Sequence, residues 1–193
     1  MKNLTSLLLC LLSLSVFAQS PQGLQRSNKA PDFTAADQSG KQISLAHALT
    51  KGSVVLVFYR GMWCPYCNKE LKALEDSLQY ITSKGATVIA VSPELPENIS
   101  KTVDKTKASY SLLYDKGLAI MKKYDVAYAV DSLTVARYKS YGLDFNVVNG
   151  NTNGATLPVP AVYVINKKGE IVYRHFDPDY RNRASIREIL KHL

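Results

Sequence analysis

Two cysteines separated by two residues, in the run Trp63-Cys64-Pro65-Tyr66-Cys67, sit where a buried-strand pattern gives way to a helical one. Upstream, Val54-Val55-Leu56-Val57-Phe58-Tyr59 is a continuous apolar, mostly β-branched stretch of the kind buried on both faces of a parallel sheet. Downstream, Leu71, Leu74, Leu78 and Ile81 recur at three- and four-residue spacing. They make one face of a helix expected over about 65–84 and closed by Gly85. Cys64 then falls near the N-cap and Cys67 one turn inside. Exposed backbone N–H groups and the macrodipole favour negative charge there, so a thiolate is stabilised. Pro65 at the first helical position needs no N–H and stiffens the turn.

The remaining chain bounds this feature. A length of 193 residues suits one ordinary domain, and 46% hydrophobic with 21% charged residues excludes a disordered or collagen-like chain. Lys2, the apolar run Leu4–Phe17 and the small residues of Val16-Phe17-Ala18 read as a secretory signal peptide over 1–18, cut after Ala18. The apolar run is about 14 residues, short of the roughly 20 that span a bilayer. Cleavage removes Cys10 and Lys2. That leaves Cys64 and Cys67 in a chain expected in a secreted or periplasmic compartment, where disulfides persist. The formal charge of +8 is spread in single residues and pairs, which excludes a nucleic-acid stripe.

Residues 19–29 read as a polar leader, a short tether, and 30–193 as the domain. Helices are expected over 45–49, 97–108, 117–124, 132–141 and 183–193. Strands are expected over 86–91 and 111–114, with an antiparallel hairpin of 162–165 and 170–173, and Asn149–Gly154 reads as a loop. The alternation of strand and helix argues for α/β layering.

A structural disulfide across so short a loop would close little chain entropy. Half a zinc site would need two more ligands, with only His47, His175 and His192 on offer. A redox-active pair is the reading that uses the placement. Trp63 and Tyr66 supply an apolar rim for a peptide or thiol partner. Arg60 supplies a cation for a thiolate or an anionic substrate, or a surface ion pair. His175 reads as a strand-end residue.

The chain resembles the thioredoxin superfamily, and within it the peroxiredoxin-like branch of the alkyl hydroperoxide reductase / thiol-specific antioxidant family. The resemblance runs through Ala30-Pro31-Asp32-Phe33, Val57-Phe58-Tyr59, Val88–Ser92, Leu112–Asp115, Leu157–Pro160, the hairpin, and Asp177–Tyr180 with Arg183. It implies a thioredoxin-like α/β sandwich, a central mixed sheet flanked by helices. The peroxiredoxin pattern Phe-Tyr-Pro-X-X-X-Thr-X-X-Cys places its peroxidatic cysteine on Cys67 and its Thr on Cys64. Its Pro falls on Arg60, and its later Arg at about Pro160. The thioredoxin pattern instead makes Cys64 the attacking residue. It also implies a cis-proline at Pro160 beside the sulfurs, with Val159 and Pro160 contacting substrate. Thioredoxin's buried acid falls on Phe58. Glu94 is an alternative acid, though its position reads more simply as a solvated helix start.

These readings converge on thiol-dependent redox chemistry in which solvent-facing Cys64 attacks and Cys67 resolves. An external thioredoxin-like thiol donor re-reduces the pair, and no cofactor or metal is needed. A thiol peroxidase acting on hydroperoxides comes first, and a protein disulfide reductase is the alternative. A copper carrier using both cysteines and a histidine is the non-enzymatic rival.

Overall fold

The computed structural model describes residues 20–193, so the signal-peptide reading lies outside the described residues. A short hairpin, β1 (Thr34–Ala36) and β2 (Gln42–Ser44), leads into α1 (Leu45–Lys51). Then come β3 (Val54–Phe58), α2 (Pro65–Asp76), α3 (Leu78–Ser83), β4 (Thr87–Ser92), α4 (Pro96–Thr106) and β5 (Ser111–Tyr114). A 3₁₀ turn over Lys116–Leu118 precedes α5 (Ala119–Lys123), β6 (Ala127–Ala129) and α6 (Ser132–Ser140). The chain ends with α7 (Phe145–Val148), α8 (Gly150–Asn153), β7 (Thr156–Pro158), β8 (Ala161–Ile165), β9 (Ile171–Phe176) and α9 (Ile186–Lys191).

The central sheet has the order β5-β4-β3-β8-β9. β3, β4 and β5 run parallel, while β8 and β9 are antiparallel, giving the mixed sheet. Strand alternation divides the core into two layers. Val54, Leu56 and Phe58 face α1, α5, Phe33 and Tyr124. Val55, Val57 and Tyr59 face Cys64, Cys67, Leu71 and Leu74 of α2, with Ile81, Ile99 and Ile189 beyond. Every β3 and β8 residue is buried, as expected of strands covered on both faces. The cysteine pair therefore lies under the end of the central strand, anchored in a rigid core.

Several local expectations are corrected. The helix read over 65–84 breaks at Ser77 (φ −106°, ψ 3°), whose N–H bonds back to Ala73 O and Leu74 O. The 117–124 helix is a 3₁₀ turn followed by α5, because Gly117 and Leu118 both adopt positive φ. Asn149–Gly154 contains helix α8, not a loop. Buried Asn153 holds it by accepting from Gly117 N and donating to Pro93 O and Asp115 O. The last helix starts three residues late, at Ile186, because Ser185 caps it by accepting from Glu188 N. Arg183 is thereby left outside the helix. The leader read as a tether is laid against the domain: Gly23 N donates to Asp125 O, and Ser27 N to Ile171 O.

No peptide bond among the described residues is cis, so the expected cis-proline at Pro160 is trans. Val159 and Pro160 link β7 to β8, two extended strands in different sheets. Val159 N donates to Val126 O, and Asp177 N donates to Pro160 O. An extended trans link meets both bonds without reversing the chain.

Candidate active site

Tyr59 N bonds to Val91 O and carries β3 one residue further, after which the chain turns over Arg60–Trp63 into α2. The turn is fixed from within: Cys64 N donates to Gly61 O, and the Asn68 side-chain amide donates to Met62 O at 2.7 Å. Cys64 is the N-cap of α2 and Pro65 its first residue, so the sulfur receives the N–H of Cys67 at 3.3 Å. Both cysteines are free, and the Cys67 thiol is directed at Cys64 Sγ. Cys64 was expected to face solvent, but it is only 1% exposed, and Cys67 is fully buried.

The two sulfurs are electrostatically opposed. The hydrogen bond from the Cys67 thiol is the main influence pulling Cys64 down to about 6. The Cys67 N–H and the Arg60 and Arg183 guanidinium groups add to it, against the cost of burial. Burial and the neighbouring Cys64 charge push Cys67 well above the ordinary thiol range. These opposite directions make Cys64 the more acidic of the two sulfurs.

Sequence reasoning left Arg183 outside the site, although the family resemblance included it. Its guanidinium reaches Cys67 Sγ at 3.3 Å and Cys64 Sγ at 3.9 Å through one nitrogen. Through another it pairs with Glu70 at 2.7 Å. Glu70 is buried and Arg183 largely so, and burial raises Glu70 to about 7 despite the arginine. The family pattern places an arginine before β8, where this chain has Pro160. A guanidinium instead arrives from the segment after β9. No spacing rule could show this, because the sheet order brings residue 183 over α2.

Glu94 is the second correction. It was read as a solvated helix start, yet it is fully buried just past β4. One carboxyl oxygen accepts from Met62 N at 2.8 Å, and the other has no partner. Burial raises it to about 8, and the Cys67 charge pushes the same way. Gly61 makes the room, with φ +151°. A Cβ there would meet Glu94 Oε1 at 2.5 Å and Trp63 Nε1 at 2.6 Å. Gly61→Ala is therefore expected to destabilise the reduced protein by about 1–3 kcal/mol, read as a lower urea midpoint.

Arg60, Trp63 and Tyr66 all reach the site. Arg60 is buried beneath aromatic rings, its guanidinium carbon 4.3 Å from the Tyr180 centroid and 4.8 Å from that of Trp63. It donates to Tyr138 OH at 2.8 Å, while its backbone N–H approaches Cys67 Sγ at 3.4 Å. It is no surface ion pair. Trp63 packs edge-on against Tyr138 and Phe145, and exposed Tyr66 against Tyr180. Val159 and Pro160 are buried at the start of β8, beside the end of β3, with their backbone groups engaged as described above. Among the described residues no three His, Cys, Asp or Glu side chains converge, so the histidine that a copper carrier needs does not join the pair.

Residues 27–174 match the AhpC/TSA family. The chain is 33% identical over 183 residues to chloroplastic peroxiredoxin Q of Gentiana triflora, covering 93% of this chain and 70% of that protein. It is 31% identical over 170 residues to the Arabidopsis thaliana peroxiredoxin Q, covering 88% and 67%. In fold it is similar to a peroxiredoxin-like protein from Aquifex aeolicus, with a TM-score of 0.67, 17% identity and coverage of 89% and 87%. With a closely spaced Cys64–Cys67 pair at the head of α2 in a thioredoxin-like mixed sheet, this chain belongs to the AhpC/TSA family, on its peroxiredoxin branch.

Proposed function

We propose that the protein is an exported thiol peroxidase in which Cys64 attacks the peroxide and Cys67 resolves. The observation that carries this reading is the burial of the thiolate. At 1% exposure, Cys64 meets a hydroperoxide-sized molecule far more readily than a protein disulfide. The signal-like residues 1–18 support export. The family relatives support the peroxidase class.

The Cys64 thiolate attacks one peroxide oxygen, the O–O bond breaks, and the alkoxide leaves to take a proton as alcohol. Arg183, within 3.9 Å of both sulfurs, stabilises the negative charge that moves from sulfur to the departing oxygen. Cys64 becomes a sulfenic acid. Cys67, in contact with it, gives up its proton and attacks the Cys64 sulfur, releasing water and closing the Cys64–Cys67 disulfide. The proton from Cys67 goes to the departing hydroxide, and Glu94, itself protonated up to about pH 8, adds no negative charge as the Cys67 thiolate forms. Two electrons from an external thiol donor restore the pair.

The test is peroxide consumption by the reduced protein run beside insulin-disulfide reduction. Fast peroxide turnover with slow insulin reduction is expected. The reverse ranking would make the protein a disulfide reductase.

Glu94 also leaves a thermodynamic mark. Its folded value of about 8 exceeds the ordinary 4.5, so the native state holds this proton more tightly than the unfolded chain. Stability from this group is full below about pH 4.5 and falls as pH rises towards 8. Glu94→Gln keeps an acceptor for Met62 N and is expected to flatten that decline by a few kcal/mol, measured by denaturant unfolding between pH 5 and 8. An unchanged slope would show that Glu94 does not hold a proton in the native state.

A further inference from the structure

We propose that the cavity on the Arg60 side of the cysteine pair binds an organic carboxylate, more tightly once Cys64 and Cys67 are oxidised. The site thereby selects a carboxylate-bearing small thiol as reductant. The reductant role rests on the peroxidase reading above, but the binding does not.

The cavity is about 420 Å³ and is lined by Arg60, Tyr128, Arg137, Tyr138, Tyr141 and Tyr180. Two guanidinium groups and four phenols favour an anion with an apolar body. The one acid on the wall, Asp131, already accepts from Thr134 N as the cap of α6. Arg60 is the unusual member. It is only 4% exposed, its Nε has no partner, and no carboxylate lies within ion-pair distance among the described residues. A buried cation without a counter-charge is costly. In the reduced protein the Cys64 thiolate supplies part of the compensating charge: Arg60 N lies 3.4 Å from Cys67 Sγ, which touches Cys64 Sγ, and the guanidinium helps to hold Cys64 down. Disulfide formation removes that charge and leaves Arg60 with aromatic faces and a phenol. An anion entering the cavity then replaces what oxidation took away. By linkage, the ligand must prefer the oxidised state.

That preference separates a reductant from a substrate, because the hydroperoxide must bind the reduced form. The thiolate of the bound donor attacks Cys64 Sγ, the Cys64–Cys67 bond breaks, and Cys67 leaves with the electron pair and takes a proton. A second thiol molecule displaces Cys64 from the mixed disulfide. The donor leaves as its disulfide, one proton is released, and Cys64 returns as thiolate.

Trp63, the only tryptophan, lies against Arg60 and reports occupancy. The experiment titrates 3-phenylpropionate, and its neutral amide as control, into reduced protein and into disulfide protein prepared with diamide. Tryptophan fluorescence is the readout, and no turnover is involved. The carboxylate is expected to bind the oxidised form about tenfold more tightly than the reduced form, with the amide binding neither measurably. Arg137→Ser should weaken carboxylate binding several-fold. It should also erase the excess rate at which 3-mercaptopropionate, compared with 2-mercaptoethanol, reduces the disulfide. Equal affinity in the two redox states, tighter binding to the reduced form, or equal binding of the amide would each overturn the proposal. Loss of peroxide turnover with this binding intact would instead overturn only the peroxidase reading.

Discussion

Cys64→Ser is expected to abolish peroxide consumption, a loss of at least about 10³-fold, and to leave Cys67 without detectable sulfenate on the same timescale. Cys67→Ser should still form one equivalent of sulfenate on Cys64, then stall, because no thiol lies in contact to resolve it. The asymmetry follows from geometry. Cys64 caps α2 and accepts two hydrogen bonds, from the Cys67 thiol and the Cys67 N–H, while Cys67 is shut into the core beneath it. The Cys67→Ser variant keeps a hydroxyl donor and the backbone N–H, so the Cys64 thiolate should persist, titrating by absorbance at 240 nm well below an ordinary thiol. Trapping with a sulfenate-specific reagent and mapping by mass spectrometry reads the outcome. Rapid sulfenate on Cys67 in Cys64→Ser would put the attacking sulfur at the position given by the peroxiredoxin pattern, and the roles would be exchanged.

The parts of this site legible in the sequence are those set by local chemistry. The apolar run Val54–Tyr59 gave way to Cys64-Pro65 at a helix start, and β3 and α2 begin where that pattern places them. The mixed sheet followed from alternating strand and helix and from the Asn166–Gly169 turn that makes β8 and β9 a hairpin. What stayed hidden depends on contacts distant in sequence. Arg183 is 116 positions from Cys67, and it serves the site only because Ser185 delays α9 and the sheet order lays this segment over α2. Glu94 looks like an ordinary acid before a proline-started helix. Its burial arises from Gly61, on another strand's exit loop, leaving space for its carboxyl. The trans link at Pro160 was obscured by analogy, since the thioredoxin position implied cis while the register of β7 and β8 calls for an extended chain.

Arg183→Gln should lower kcat/KM for hydrogen peroxide by about 10²-fold, the scale of removing one charged donor from a developing oxyanion. The Cys64 titration should move upward at the same time, because a guanidinium that favours the thiolate is gone. Stability complicates the reading, since Arg183 also neutralises buried Glu70. Leaving one member of a buried ion pair alone costs about 3–5 kcal/mol. Part of that is relieved here because Glu70, already raised to about 7, takes up a proton when the arginine leaves. The double variant Arg183→Gln/Glu70→Gln separates the two effects. Two neutral amides can hydrogen-bond to each other in the space of the ion pair, so its unfolding midpoint should recover towards wild type. Its rate should stay low, because neither amide carries the positive charge that faced both sulfurs. Recovery of the rate together with stability would show that Arg183 serves the fold and not the reaction. Arg183→Lys gives the complementary result. An ammonium cannot hold Glu70 with one nitrogen and the sulfurs with another, as the planar fork does. It should restore the low Cys64 titration in part while leaving the peroxide rate well below wild type.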